Sequence, residues 1–419
     1  MSCFRIIGGK KLAGRIKSSG AKNSAMPIIT ACCMIEGSVE LHNVPSKHDP
    51  ILLLNMVKGL GLKVKNTQKN TWVLDASGQI KSDVIGEKTS RIRGNQTLLG
   101  ALLARNGEVR LESLGGCKIG SRPMDLHLKG FQALGATVEE TGNSIYISAK
   151  DGLTGSRIFL DFPSVGATEN IMLAGCMAQG ETIIENCAKE PEIEDLANFL
   201  LACGARIAGA GTETICIEGQ KKLKPSSHSI MPDRIEVGTY MIAGAITGGN
   251  ISIGPVNPVN VDSLIFKLQE AGVSVHVEGG NQIRIKNNSR VRAVNIRTLP
   301  YPGFPTDLQP QMTSLMSVSN GVSVISETIF ENRFSSVPEL IKMGANISSE
   351  GRSIKVRGVE KLKGASVKSH DLRGGVSLVL AGLIAEGETI VTDIEHIERG
   401  YDRLDVKLRS LGADIERID

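Results

Sequence analysis

Apolar and polar positions follow one pattern six times along this chain. An apolar stretch of about a dozen residues, rich in Ala, Leu, Ile and Met, ends near a glycine at Gly37, Gly107, Gly180, Gly249, Gly321 and Gly387. These glycines stand about 66 to 73 residues apart. A short alternating segment follows, as in Ser38-Val39-Glu40-Leu41, Glu108-Val109-Arg110-Leu111 and Glu388-Thr389-Ile390-Val391, with the period of a half-buried strand. An amphipathic helix comes next, over 125–134 or 402–411 for example, leading to a second glycine at 61, 135, 204, 272, 344 and 412. Two short strands close the unit, as at 136–139 and 144–147. The sixth unit stops after one of them at Asp419, and Phe4-Arg5-Ile6-Ile7 is expected to supply the other, tying the N-terminal segment to the C-terminal half.

The stretches 23–37, 95–107, 169–180 and 375–387 are apolar nearly all round, which predicts helices buried on every side. The glycine that closes each suits a left-handed C-cap. The period exceeds that of common solenoid repeats, so each unit is a small motif of its own. Six units divide most simply into three and three. The predicted fold is α/β: two domains, each of three repeated βαβαββ-like units sheathing buried central helices. A chain of 419 residues buries ample core in both.

Composition narrows the function by exclusion. A net charge of +4 argues for neither nucleic acid nor a membrane surface, and 3% aromatic residues leave little to stack on bases. The eight cysteines, at 3, 32, 33, 117, 176, 187, 203 and 216, show no C-x-x-C spacing, and Cys32, Cys33 and Cys176 lie in apolar runs as small core residues. Met1-Ser2-Cys3-Phe4-Arg5 lacks the apolar region of a signal peptide, and the apolar runs are too short for a membrane span. A soluble monomer in a reducing cytoplasm, without metal or cofactor, is expected.

The polar residues that open each buried helix carry the candidate chemistry. Counting back 14 or 15 residues from the first glycines reaches Lys22, Arg93, Gly166, Arg234, Asp307 and Arg373. Helix N-termini favour anions, so Lys or Arg there is unfavourable for the helix alone and points to an anionic ligand. Pairing with nearby acids is the structural alternative. A second set lies on loops: Glu190-Pro191-Glu192, Arg333, Arg399 and the stretch from Gly115 to Pro123. In that stretch Cys117 sits among glycines with Lys118 and Arg122 beside it, a setting that favours thiolate; an exposed idle cysteine is the alternative.

At these residues the chain resembles the enolpyruvyl transferase family. The resemblance spans essentially the whole chain and rests on Ser19-Gly20-Ala21-Lys22-Asn23, Gly115-Gly116-Cys117-Lys118-Ile119-Gly120-Ser121-Arg122-Pro123 and Pro163-Ser164-Val165-Gly166-Ala167-Thr168. It continues through Pro232-Asp233-Arg234-Ile235-Glu236, Phe304-Pro305-Thr306-Asp307, Phe330-Glu331-Asn332-Arg333-Phe334 and Arg399-Gly400-Tyr401. It implies two inside-out α/β domains joined at a hinge, 21–229 carrying the Cys117 loop, and 1–20 with 230–419. It implies that the 3′-hydroxyl of UDP-N-acetylglucosamine attacks phosphoenolpyruvate and that a tetrahedral intermediate loses phosphate, the first committed step of peptidoglycan precursor synthesis. Lys22, Arg93, Arg122 and Arg399 match the phosphoenolpyruvate contacts, with Arg373 close by; Asp307 matches the general base. Cys117 matches the loop cysteine that acts as acid or aids product release and is the target of epoxide inhibitors. Asn23, Asp125, Leu126, Ser164, Val165, Gly166 and Ile329 match the nucleotide-sugar pocket.

Two departures stand out. Some relatives have Lys where this chain has Phe162, removing one phosphate contact, and many have Ala-Ser where it has Gly374-Gly375. Three other readings compete: the sister activity on shikimate 3-phosphate, a silent paralogue that binds the nucleotide sugar, and an RNA-processing protein of related repeat fold. The Cys117 loop and Asp125 argue against the first, retention of Cys117, Asp307, Lys22 and Arg399 against the second, and the small net charge against the third.

Overall fold

A computed structural model describes residues 2–84, 96–112, 124–142 and 144–419. They fall into two compact units, one of residues 20–231 and one of 2–19 with 232–419. Each has its own apolar core.

Among the described residues the strands form six four-stranded sheets of one design. In the second, Asp83–Val84 runs parallel to Glu108–Glu112, which pairs antiparallel with Ser144–Ser148, which pairs antiparallel with Thr137–Thr141. The helix Leu98–Asn106 links the two parallel strands, and Asp125–Ala133 joins the second of them to the closing hairpin. This is the βαβαββ unit. The opening strand is two or three residues long in five units, too short for an alternation pattern, and the five-residue Ala13–Lys17 buries only Ile16 and so shows none.

The units close on themselves through borrowed strands. Ser227–Ser229 lies parallel to Ser38–His42 in the first sheet, and Ala13–Lys17 lies parallel to Asn250–Gly254 in the fourth. Cys3–Ile7 inserts antiparallel between Glu388–Thr392 and Asp414–Ile418, the place expected for 4–7.

The central helices are Lys22–Ala31, Leu98–Asn106 and Val165–Gly175 in one unit, and Arg234–Ile246, Gln309–Ser317 and Leu372–Gly382 in the other. All thirteen residues of Arg234–Ile246 are buried, as the apolar pattern requires. Gln309–Ser317 is equally buried yet rich in Gln, Ser and Thr. It manages this by internal bonding: Thr313 and Ser317 hydroxyls donate to the carbonyls four residues back, and Ser314 donates to the Ser377 carbonyl at 2.7 Å.

The first-marker glycine caps a helix directly only at Gly107, with φ 73°. Elsewhere the helix stops earlier, at Ala31, Gly175 or Gly382, and Gly37, Gly180 and Gly387 take positive φ in the turn that leads to the strand. The intervening apolar residues leave the helix through tighter bonds, such as Ala178 N–H to Gly175 and Ile384 N–H to Ala381, so apolarity outlasts helix geometry. In the fourth unit the positive φ falls on Gly248 rather than Gly249.

The second glycine is uniform. At 61, 135, 204, 272, 344 and 412 φ lies between 90° and 120°, and the glycine N–H donates three residues back. The next residue's N–H donates five back, completing a Schellman stop six times. No helix of the described residues is long and apolar enough to cross a membrane.

Candidate active site

In the unit of 2–19 and 232–419 the three buried helices run parallel with their N-termini at one end. Ser314 and Ser377, each sixth in its helix, meet, while Asp307 just ahead of one helix meets Arg373, second in the other. Thr239, sixth in the third helix, receives the Gln311 amide at 3.2 Å.

Asp307 is the centre of this end. Its side chain is 25% exposed; Arg333 Nη2 donates to Oδ1 at 2.6 Å and Arg373 Nη2 to Oδ2 at 2.8 Å. Both guanidiniums are at least 97% buried. Arg333 also donates from Nε and Nη2 to the Thr306 carbonyl, fixing the turn that carries Asp307. The Nε and Nη1 of Arg373 have no hydrogen-bond partner among the described residues. Burial pulls the pKa of Arg373 down more strongly than any one neighbour raises it, but Asp307, Tyr401 and Asp233 together outweigh it and the net shift is upward. The guanidinium also lies 5.4 Å from the Tyr401 ring centroid. Each unmade bond of a buried charged donor costs about 1–3 kcal/mol, a cost that an anion bound there would offset.

The backbone here is held by acids. Asp371 caps its helix, accepting the Arg373 and Gly374 amides at 2.9 and 3.0 Å, and also takes the Ser335 hydroxyl. Asp233 caps the next helix the same way, beside the 93% buried Arg234. Glu327, 1% exposed, accepts from Thr298, Thr306, Ile329 N–H and Phe330 N–H at 2.8–3.1 Å. It therefore sets both the residue before Asp307 and the backbone of Ile329, which is half-buried. Arg399 is half-buried at the end of the short helix Glu395–Glu398.

In the unit of 20–231, Lys22 opens its helix and pairs with the buried Asp49 at 3.1 Å. Asn23 beside it is exposed. Ser164 caps Val165–Gly175 by accepting the Ala167 amide at 3.3 Å, which leaves the first amides, Val165 and Gly166, without an intrahelical acceptor. Asp125 and Leu126 open a neighbouring helix, exposed and half-buried, and the next residue, His127, packs against Gly166. Phe162 is 44% exposed nearby in sequence. Gly375 is required by packing, because a Cβ there would lie 2.1 Å from the Ser369 hydroxyl oxygen.

Arg93, Cys117 and Arg122 lie outside the described residues. Lys22 and Arg373 both have acidic partners, so the pairing alternative for these cations holds alongside any ligand role. Cys32, Cys33 and Cys176 are core residues, and burial pushes the Cys33 and Cys176 thiols up to about 12. Among the described residues no group of three or more His, Cys, Asp or Glu converges as a metal site would require.

The family model for EPSP synthase (3-phosphoshikimate 1-carboxyvinyltransferase) matches residues 6–408. The chain belongs to the EPSP synthase family of enolpyruvyl transferases. Within this family it is 49% identical over 420 residues to the UDP-N-acetylglucosamine 1-carboxyvinyltransferase of Finegoldia magna, covering 100% of this chain and 99% of that one. It is 47% identical over 416 residues to UDP-N-acetylglucosamine 1-carboxyvinyltransferase 1 of Staphylococcus aureus, covering 99% of each. The crystal structure of the enolpyruvyl transferase NikO from Streptomyces tendae superposes with a TM-score of 0.90 at 27% identity, over 99% of this chain and 98% of that one. EPSP synthase from Acinetobacter baumannii shares the fold at a TM-score of 0.75 and 20% identity, over the full length of both.

Glu327, Asp49 and His127 do not stand out in the sequence as site residues. The caps were legible: Asp233 and Asp371 each stand just before an apolar helix and an arginine. Glu327 is only partly local: Ile329 and Phe330 lie two and three residues on, but Thr298 and Thr306 lie 29 and 21 residues back.

Proposed function

We propose that this chain transfers the enolpyruvyl group of phosphoenolpyruvate to the 3′-hydroxyl of UDP-N-acetylglucosamine and releases phosphate, as a cytoplasmic monomer without cofactor. Full-length likeness to proteins named for that reaction supports the choice of acceptor. One observation carries the chemistry: Arg373 presents two idle, buried donors beside the Asp307 carboxylate. Phosphoenolpyruvate brings the phosphate and carboxylate that such donors fit.

In this reading Asp307 takes the proton of the attacking hydroxyl. Both its oxygens are engaged by arginine. The anionic substrate draws Arg373 toward itself and frees one oxygen when the acceptor is present. Lys22, Arg93, Arg122 and Arg399 hold phosphoenolpyruvate, and Cys117 gives a proton to the vinyl carbon. Asn23, Asp125, Leu126, Ile329 and the amides of Ser164-Val165-Gly166 hold the nucleotide sugar. Addition is followed by loss of phosphate from the tetrahedral intermediate together with a proton from its methyl carbon, which restores the double bond.

The test is phosphate release from phosphoenolpyruvate with either UDP-N-acetylglucosamine or shikimate 3-phosphate. Release with the nucleotide sugar alone is expected; release with shikimate 3-phosphate alone, or with neither, overturns the reading. Asp307→Asn keeps the shape and removes the base, so kcat should fall about 10²- to 10⁴-fold. Wild-type turnover in that variant would remove Asp307 from the role.

A further inference from the structure

Asn170 lies in the buried helix Val165–Gly175 and is 0% exposed. Its Oδ1 accepts the Gly100 amide at 2.7 Å. Its Nδ2 lies 2.9 Å from the Gln96 carbonyl and 2.7 Å from His127 Nδ1. Two backbone partners of fixed polarity, an N–H and a C=O, decide which way round the amide sits. An amide nitrogen has two hydrogens to give and no lone pair to offer, so His127 Nδ1 accepts. A neutral imidazole that accepts at Nδ1 carries its hydrogen on Nε2.

His127 stays neutral because burial pushes its pKa down to about 4, against the smaller upward pull of Asp125. The ring is 6% exposed, and Nε2 makes no hydrogen bond with any described group. Its edge lies over the first turn of Val165–Gly175. A Cβ on Gly166 would stand 3.0 Å from Cε1 and 3.3 Å from Nε2, so the bare glycine is what admits the ring. The unspoken-for N–H therefore lies beside two helix amides that lack intrahelical acceptors.

We infer that Asn170 is a positioning residue: it locks His127 as the Nε2–H tautomer, so that this N–H joins the Val165 and Gly166 amides in binding a phosphate oxygen of the nucleotide sugar. The inference rests on the function proposed above for its ligand, but not for its tautomer. A neutral donor suits the place, because it adds a hydrogen bond that does not vary with pH across the physiological range.

The experiment is a long-range ¹⁵N–¹H correlation spectrum of histidine-labelled, full-length, ligand-free protein at pH 7, with the His127 signal assigned from its loss in His127→Gln. A neutral Nε2–H ring is expected; an Nδ1–H ring or an imidazolium overturns the inference. Asn170→Asp replaces the donor by a carboxylate, which should move the hydrogen to Nδ1 and turn a lone pair toward the ligand. Calorimetric Kd for UDP-N-acetylglucosamine should then weaken roughly ten- to hundredfold, the change expected for one hydrogen bond to a charged group. The loss should fall on KM for the nucleotide sugar rather than on kcat or on KM for phosphoenolpyruvate. His127→Phe, which leaves Asn170 in place, should reproduce it, and His127→Gln, with an amide N–H near the same point, should recover most of the affinity. Wild-type affinity in His127→Phe, or in a tautomer-shifted Asn170→Asp, overturns the inference. A wild-type enzyme inactive toward UDP-N-acetylglucosamine would instead overturn the functional reading and with it the ligand.

Discussion

Glu327 has four hydrogen-bond donors converging on one carboxylate in a site 99% buried. Glu327→Ala leaves them facing apolar space, and we expect a loss of about 3 kcal/mol in urea unfolding. Activity should fall further than stability, because Thr306 and Ile329 lose their common anchor. Glu169 presents the opposite situation. Burial, reinforced by Glu192 and Glu190, raises its carboxyl well above the ordinary range. Above the unfolded pKa the folded state then binds more protons than the unfolded one, so its contribution weakens as pH rises toward the folded value. Glu169→Gln should flatten that decline in thermal melts taken from pH 5 to pH 8; an unaltered slope would refute the assignment. Lys22 and Arg373 stood out in the sequence because a charge at the mouth of an apolar run breaks the pattern, and Asp307 because it holds the matching place in the repeat. Asn170 and His127 did not, because their partners lie tens of residues away, and neither did Glu327, whose Thr298 and Thr306 partners lie 29 and 21 residues back.

At the scale of the element, the six glycine stops separate backbone strain from packing. Gly135 has φ +90° and open space where a Cβ would go. Gly135→Ala should therefore cost only the left-handed penalty, about 1–2 kcal/mol. Gly130, five residues earlier, has no positive φ, but a Cβ there would meet the Ile171 side chain at 2.4 Å. Gly130→Ala should cost about 1–3 kcal/mol by overpacking, and Ile171→Val should restore part of it while leaving Gly135→Ala unaffected. Urea midpoints of the four variants check this. The amphipathic helices and hairpins were readable from periodicity alone. The parallel edge strands were not, since five of them have only two or three residues and the sixth, Ala13–Lys17, buries a single side chain. The ends of the central helices were misjudged because burial continues past the last helical turn.

At the scale of the molecule, the described residues of one unit all fall within 20–231, while the other unit is assembled from 2–19 and 232–419. The division into three and three repeats was visible in the sequence, and so was the need for a strand from the N-terminal segment, because the sixth repeat is one strand short. Ile6 is 0% exposed in that strand, so Ile6→Ala should cost about 2–5 kcal/mol. In calorimetry the loss should bring forward the melting of the unit that holds it and leave the unit of 20–231 in place. The borrowed strand also has a consequence in time. The strands on either side of Cys3–Ile7, Glu388–Thr392 and Asp414–Ile418, are translated some 380 residues after it. At about 5–20 residues per second, that is a wait of roughly 20–80 s. The unit of 20–231 can finish folding in that interval, while Cys3–Ile7 stays unmatched, and open to chaperones, until its two neighbours have been made.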